Sequence, residues 1–227
     1  MKKMLLGLFI VLIFGICHAS EKYKNKNLYS KLDNFSNDNF DFEDFSGAWF
    51  HDINCSNSSF CYCDFFSSKF TKSNFTNSDL RYSRFCGAQC YNVIFNNANL
   101  KVSWFLNCDL TKSDFSNSKL NNSAMFDSNI IMQGEDRTIV DNADFDGVIG
   151  LTNAQKKYLR ESGAINVPDD LTDDQFKKEK EVFYACLDEI TEELSFFYPF
   201  KQVVKWPFKK TWQVIQWISE NIKSIRT

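Results

Sequence analysis

The sequence is poor in the residues on which most catalytic sites depend. It holds only two histidines, His18 and His51. A histidine-assisted nucleophile is therefore confined to the neighbourhood of His51, and no Ser or Cys is convincingly placed beside it. A zinc site would have to be built mostly from cysteines. No glycine-rich phosphate loop is present. These gaps argue against an enzyme and against any metal or cofactor. The one long apolar run, Met4 to Cys17, is too short for an ordinary transmembrane span. It follows Lys2 and Lys3 and ends in Cys17-His18-Ala19. That pattern reads as a secretory signal peptide over residues 1–19, cleaved after Ala19. An uncleaved N-terminal membrane anchor is the alternative.

Eight cysteines are present, and cleavage would leave seven. In an exported chain such a count first suggests disulfides. Their spacing argues otherwise once the period of the chain is known. What is abundant is phenylalanine, 24 residues, and its placement sets that period. In "SKFTKSNFTNSDLRYSRF", residues 68–85, Phe70, Phe75, Leu80 and Phe85 recur every five residues. A strand would send successive members to opposite faces, and a helix would scatter them. An extended pair followed by a corner, repeated, points them all at one axis.

From Phe35 to Ile130 the register holds for twenty consecutive centres. Two residues before each centre, from Ala48 onward, stands Ser, Ala or Cys, except at Ile53 and Val93. Alternation puts this small residue on the same inward side as the centre. Asp33, Asp38 and Glu43 break the rule, which predicts an irregular or open first coil.

Units such as "SNFTN", "SDLRY", "ANLKV", "CDLTK" and "SDFSN" resemble the A-(D/N)-L-x-x motif of the pentapeptide repeat family. The resemblance covers residues 33–132, and "ADFDG" at 143–147 returns in frame. It implies a mainly β fold, a right-handed four-sided (quadrilateral) β-helix with four pentapeptides per coil. One feature of the sequence supports four independently. Every twentieth residue from Asn37 is also Asn: Asn57, Asn77, Asn97 and Asn117. Stacked coils would make these an asparagine ladder. No two cysteines are twenty residues apart, so none stack. Cys55, Cys63, Cys90 and Cys108 read as small buried hydrophobes, leaving Cys61, Cys86 and Cys186 as candidates for exposure.

The expected organisation is a signal peptide (1–19), a lead (20–32), the β-helix (33–150) with a loop near 133–137, a capping helix (151–166) and a helical C-terminal extension (167–227). Thr152 with Gln155, and Thr172 with Gln175, are capping boxes. Phe176, Phe183, Leu187, Ile190 and Leu194 make an amphipathic helix ended by Pro199. A last helix after Pro207 carries Phe208, Trp212, Ile215, Ile218 and Ile222 on one face. Beyond Leu194 the chain is basic, with Lys201, Lys205, Lys209, Lys210, Lys223 and Arg226 against Glu220.

Stacking at twenty residues also arranges the outside into columns. Phe42, Tyr62, Tyr82, Val102 and Asn122 form one; Phe66, Cys86, Leu106 and Phe126 form the next, with Trp104 projecting between them. Such an apolar side needs cover. Three occupants compete: the chain's own C-terminal helices, another protein or a second copy of the chain, and a membrane. The first two make Tyr62, Phe66, Tyr82, Trp104, Leu106 and Phe126 the interface. The third would use Trp206, Lys209, Lys210, Trp212 and Trp217. The repeat span carries eleven acidic and seven basic residues, which disfavours nucleic acid as a partner. Some cytoplasmic members of the family mimic DNA and bind gyrase. The expected function is instead an exported, non-enzymatic scaffold that presents a β-helical surface to a protein partner or membrane. A cytoplasmic DNA-mimic binding a type II topoisomerase is the alternative.

Overall fold

The computed structural model describes residues 22–29 and 34–195, with the backbone alone for Tyr29 and for 186–195. The expected signal peptide (1–19), the residues expected at a membrane (Trp206, Lys209, Lys210, Trp212 and Trp217) and Cys186 lie outside these described residues or side chains.

Strands β1 (Asn27–Tyr29), β2 (Trp49–His51), β3 (Lys69–Thr71) and β4 (Gln89–Tyr91) form one parallel sheet in that order. β2, β3 and β4 pair at an offset of twenty, Phe50 opposite Phe70 and Phe70 opposite Cys90. The other sides are single bridges with the same offset, such as Asn54 to Asn74 and Asn74 to Ile94. Within one coil the bridged residues are Arg84, Gln89, Ile94 and Asn99, one per side. A coil is therefore twenty residues with four sides, and the fold is a right-handed quadrilateral β-helix, the hand usual for parallel crossovers.

Every centre from Phe35 to Ile130 is buried. Aromatic rings stack coil upon coil: Phe85 lies 4.7 Å from Phe105 and Phe75 lies 5.5 Å from Phe95, both face to face. The small positions are buried too, and their hydroxyls explain why Ser so often stands there. Ser78 Oγ donates to the Phe75 carbonyl at 2.6 Å and Ser83 Oγ to the Leu80 carbonyl at 2.6 Å. Others reach the coil above, as Ser113 Oγ does to the Cys90 carbonyl at 2.7 Å. Most of these polar side chains thus enter the core with their donor satisfied, while Ser118 and Ser123 Oγ are buried without a partner.

The corners are turns. The Ser78 amide donates to the Phe75 carbonyl at 3.1 Å, and Asn77 between them has φ 59°. An i to i+3 bond with positive φ at the third residue is the type II signature. The whole asparagine column shares this conformation, with φ from 56° to 59°. Side-chain contact along it is sparse, Asn77 Nδ2 donating to Asn57 Oδ1 at 3.1 Å. Asn97 turns to its neighbour Asn96 instead. The column is accordingly less a side-chain ladder than a set of residues that tolerate the left-handed region. Asn77→Gly should be nearly neutral in a thermal melt, whereas Asn77→Val should lose about 1–2 kcal/mol.

From residue 34 on, the first coil follows the frame, contrary to expectation, with Asn39 bridged to Ser59, while Asp33 lies outside the described residues. Residues 22–29 close it. β1 pairs with β2, and the Tyr23 ring stacks on Phe45 at 4.8 Å and meets Phe35 edge-on at 5.4 Å. Glu43 does carry the penalty of its inward position, since its Oε2 is buried without a hydrogen-bond partner. Residues 133–137 stand outside the frame and the bridges lengthen to twenty-five residues, Asp114 to Ile139 and Lys119 to Asp144. Phe145 and Val148 then fill a further partial coil.

Two helices follow. α1 (Asn153–Glu161) starts at a capping box in which Thr152 and Gln155 satisfy each other. It covers the last coil: Leu159 is fully buried and Tyr158 Oη donates to the Thr138 carbonyl at 2.6 Å. An open stack end would otherwise expose core rings and unpaired backbone. α2 (Asp173–Ser195) begins after Thr172 and Gln175 repeat the capping box, at 2.9 and 3.2 Å.

Candidate interaction surface

One side of the shaft gathers the apolar columns, and α2 lies over its C-terminal part. Phe183 is the anchor. Its ring is 4.8 Å from Phe126 and meets Trp104 edge-on at 6.0 Å. Leu106 and Ala124 complete this cluster, with Cys86, Val102 and Ile149 at its margin. Three polar bonds fix the helix. Glu179 Oε1 accepts the Gly150 amide at 2.8 Å. Lys180 Nζ pairs with Asp127 at 2.6 Å, and Tyr184 Oη donates to the other oxygen of Asp127 at 3.2 Å.

Gly150 is needed where it stands. Its φ is 84°, and a Cβ there would lie 2.6 Å from the Phe126 ring. The bare amide left at this site is what Glu179 takes up, although Glu179 is itself 1% exposed.

Trp104, Leu106 and Phe126 are therefore not open surface. They are 4%, 8% and 0% exposed, because the chain's own helix supplies the apolar cover. Three of the six residues expected at a partner interface thus lie under α2. The other three belong to the upper coils. Phe66 is 51% exposed, and Tyr62 and Tyr82 are half-buried in a corner stack with Phe42. The rings of that stack are parallel within 5°, at 5.3 Å for Phe42–Tyr62 and 4.5 Å for Tyr62–Tyr82. All three residues, and Val102 below them, have φ between 62° and 70°. Bulky and β-branched residues rarely accept that region. The same left-handed φ recurs at the other corners, as at Lys72, Asn77 and Lys112, so the turn imposes it here on bulky side chains.

Tyr184 gives the docked helix a pH dependence. Burial, then the charge of Asp127, pushes its phenol up to about 12, against an ordinary value near 10. A raised phenol favours the docked, protonated form. Its contribution is full below about pH 10 and is lost as pH rises toward about 12. Hydrogen exchange in α2 should accelerate across that window, and Tyr184→Phe should remove this part of the change.

The cysteines behave mostly as structural groups. Cys55, Cys63, Cys90 and Cys108 are buried, and burial raises each thiol well above its usual value. Cys86 is half-buried and pushed up to about 11 by desolvation. Cys61 was expected outside but is buried. Its corner packs it beside Asp41, which accepts its amide at 2.8 Å, and burial lifts its thiol to about 11. Thiols held protonated are poor nucleophiles. His51 is exposed. No cluster of three metal-ligating side chains occurs among the described residues. No helix there is long and apolar enough to cross a membrane.

The sequence missed Glu179 and its bond to Gly150. Its position carried the signal: Glu179 lies three residues after Phe176 and four before Phe183, on the apolar face of α2. An acid on that face is out of place unless it meets a buried donor.

Residues 44–77 and 63–102 match the family model for pentapeptide repeats, in eight copies. No curated protein matches by sequence. Among solved structures, a pentapeptide repeat protein from the Arabidopsis thaliana thylakoid lumen is 20% identical, covering 63% of this chain and 81% of that one, with a TM-score of 0.34. QnrB1, a plasmid-mediated fluoroquinolone resistance protein, is 12% identical over 60% of this chain and 92% of that one, with a TM-score of 0.31. A pentapeptide repeat protein from Nostoc Pcc 7120 is 12% identical over 62% and 97%, with a TM-score of 0.29.

Proposed function

Since this chain is a pentapeptide repeat protein, we propose that it is an exported, non-enzymatic scaffold. Its upper coils present an aromatic face to a protein partner. The observation that carries this reading is the Phe42–Tyr62–Tyr82 stack beside Phe66. It is apolar and half-exposed, on the side where the lower coils already accept a helix. Aromatic side chains are the usual anchors of protein interfaces. The DNA-mimic alternative finds less support. Acidic residues on this side are interleaved with bases, Arg84 with Asp64 and Arg81 with Asp79, so they do not make a continuous anionic track.

Export rests on Lys2, Lys3 and the apolar run to Cys17. Mass spectrometry of the native protein from an envelope or secreted fraction should find its N-terminus at Ser20. An intact Met1 in a cytosolic fraction would overturn the export reading and favour the DNA-mimic one.

A further inference from the structure

The apolar column that α2 covers does not stop where Phe183 stops. Phe126, Leu106, Cys86 and Phe66 succeed one another at twenty-residue steps. The first two are buried, Cys86 is half-buried and Phe66 is 51% exposed. α2 runs toward that exposed end. Glu179 meets Gly150 in the last coil, and Phe183, a turn later, meets Phe126 and Trp104 in the coils above. From Tyr184 to Ser195 the helix rises about 16 Å, about three coils at 4.8 Å each. Held parallel to the shaft, α2 would bring its end at Ser195 level with the first coils.

The chemistry of the two parts matches. Between residues 34 and 68 the shaft has six acidic residues, Asp38, Asp41, Glu43, Asp44, Asp52 and Asp64, and no Lys or Arg. Lys24 and Arg84 take up Asp44 and Asp64, and Lys22 lies within electrostatic reach of Glu43 and Asp38. Asp41, next to Phe42, adds further negative charge. The segment beyond Leu194 has six basic residues and one acid, and it spaces Trp212, Ile215, Ile218 and Ile222 as one helical face. The lower coils show the same kind of pairing already made, an aromatic anchor with a flanking lysine, in Phe183 and Lys180.

We infer that residues 196–227 dock on the upper coils, over Phe66 and the Phe42–Tyr62–Tyr82 stack, as an intramolecular occupant of the face a partner would use. The inference rests on that face being an interface. It makes the tail a built-in competitor, so partner binding requires its displacement. An intramolecular competitor needs little affinity, because the tether holds it at high effective concentration.

The test uses the full chain with the photoreactive residue p-benzoylphenylalanine in place of Phe66. Irradiation should link position 66 to peptides within 196–227 of the same chain, migrating as a monomer. Trp212→Asp in that chain should reduce the crosslink at least tenfold and leave the thermal melt of the shaft in place. Crosslinks only to a second copy, only to another protein, or none in a folded chain would overturn the inference. The underlying reading fails differently. If capture of envelope proteins is indifferent to Phe66→Asp, the face is not a partner site, whatever the crosslink shows. If capture depends on Phe66 and no self-crosslink forms, the partner site stands and the tail is not its occupant.

Discussion

Phe75→Asp should abolish the cooperative fold. Phe75 is fully buried mid-stack, 5.5 Å from Phe95, 5.4 Å from Phe60 and 5.6 Å from Phe70. No donor is placed to receive a carboxylate among these rings. Burying an unpaired charge costs more than the whole margin by which a domain of ordinary stability folds. Coils interact mainly with their neighbours, so a break at the centre also severs the two halves of the stack. Circular dichroism should lose the β signal, and the thermal transition should disappear or broaden. Phe75→Leu, which keeps an apolar side chain of similar size, should cost about 1–2 kcal/mol and preserve the transition. Equal melts for the Asp variant and the wild type would refute the inward column.

Phe183→Asp should have the second largest effect, confined to the helix. Phe183 is 1% exposed, and its cluster with Phe126, Trp104 and Leu106 lies outside the shaft's own core. The substitution places a charge in that cluster and also sets an acid beside Asp127, which Lys180 and Tyr184 serve. α2 should leave the shaft while the coils keep their Phe stack. In hydrogen exchange on the full chain, protection over residues 176–184 should fall at least tenfold, and the amides of the central coils should hold theirs. An unchanged α2 would show that Glu179 and Lys180 hold the helix without its anchor.

The core was legible because its signal is local and redundant. Each centre from Phe35 to Ile130 repeats one instruction, an apolar residue two after a small one, and five-residue periodicity admits few geometries. The capping boxes at Thr152 and Thr172 were equally readable, since a capping box is a short-range exchange of hydrogen bonds. Other features depend on what a residue meets across the fold. The asparagine column was placed correctly but given the wrong principal role: stacking at twenty residues is visible in sequence, whereas positive φ at every corner is a property of the turn. Cys61 alternates outward, yet its corner packs it against Asp41 and its neighbours. Tyr23 and β1 close the first coil although they stand before the repeat begins, where no period marks them. The same holds for the candidate site. Its columns followed from the twenty-residue frame. Which rings of those columns lie under α2 was fixed by Gly150 and Glu179, a pair that no local pattern joins.

The central claim is that the aromatic side of the upper coils is the docking face. It is tested most directly by immobilising the full chain and quantifying captured envelope proteins by mass spectrometry. Wild type would be compared with a Phe66→Asp, Tyr82→Asp double variant and with Ile94→Asp, which alters an exposed residue on the opposite side of the coil. The account predicts a discrete, saturable species captured by wild type and Ile94→Asp and lost at least tenfold by the double variant, with all three chains folded. Equal capture by all three, or loss caused by Ile94→Asp alone, would contradict it.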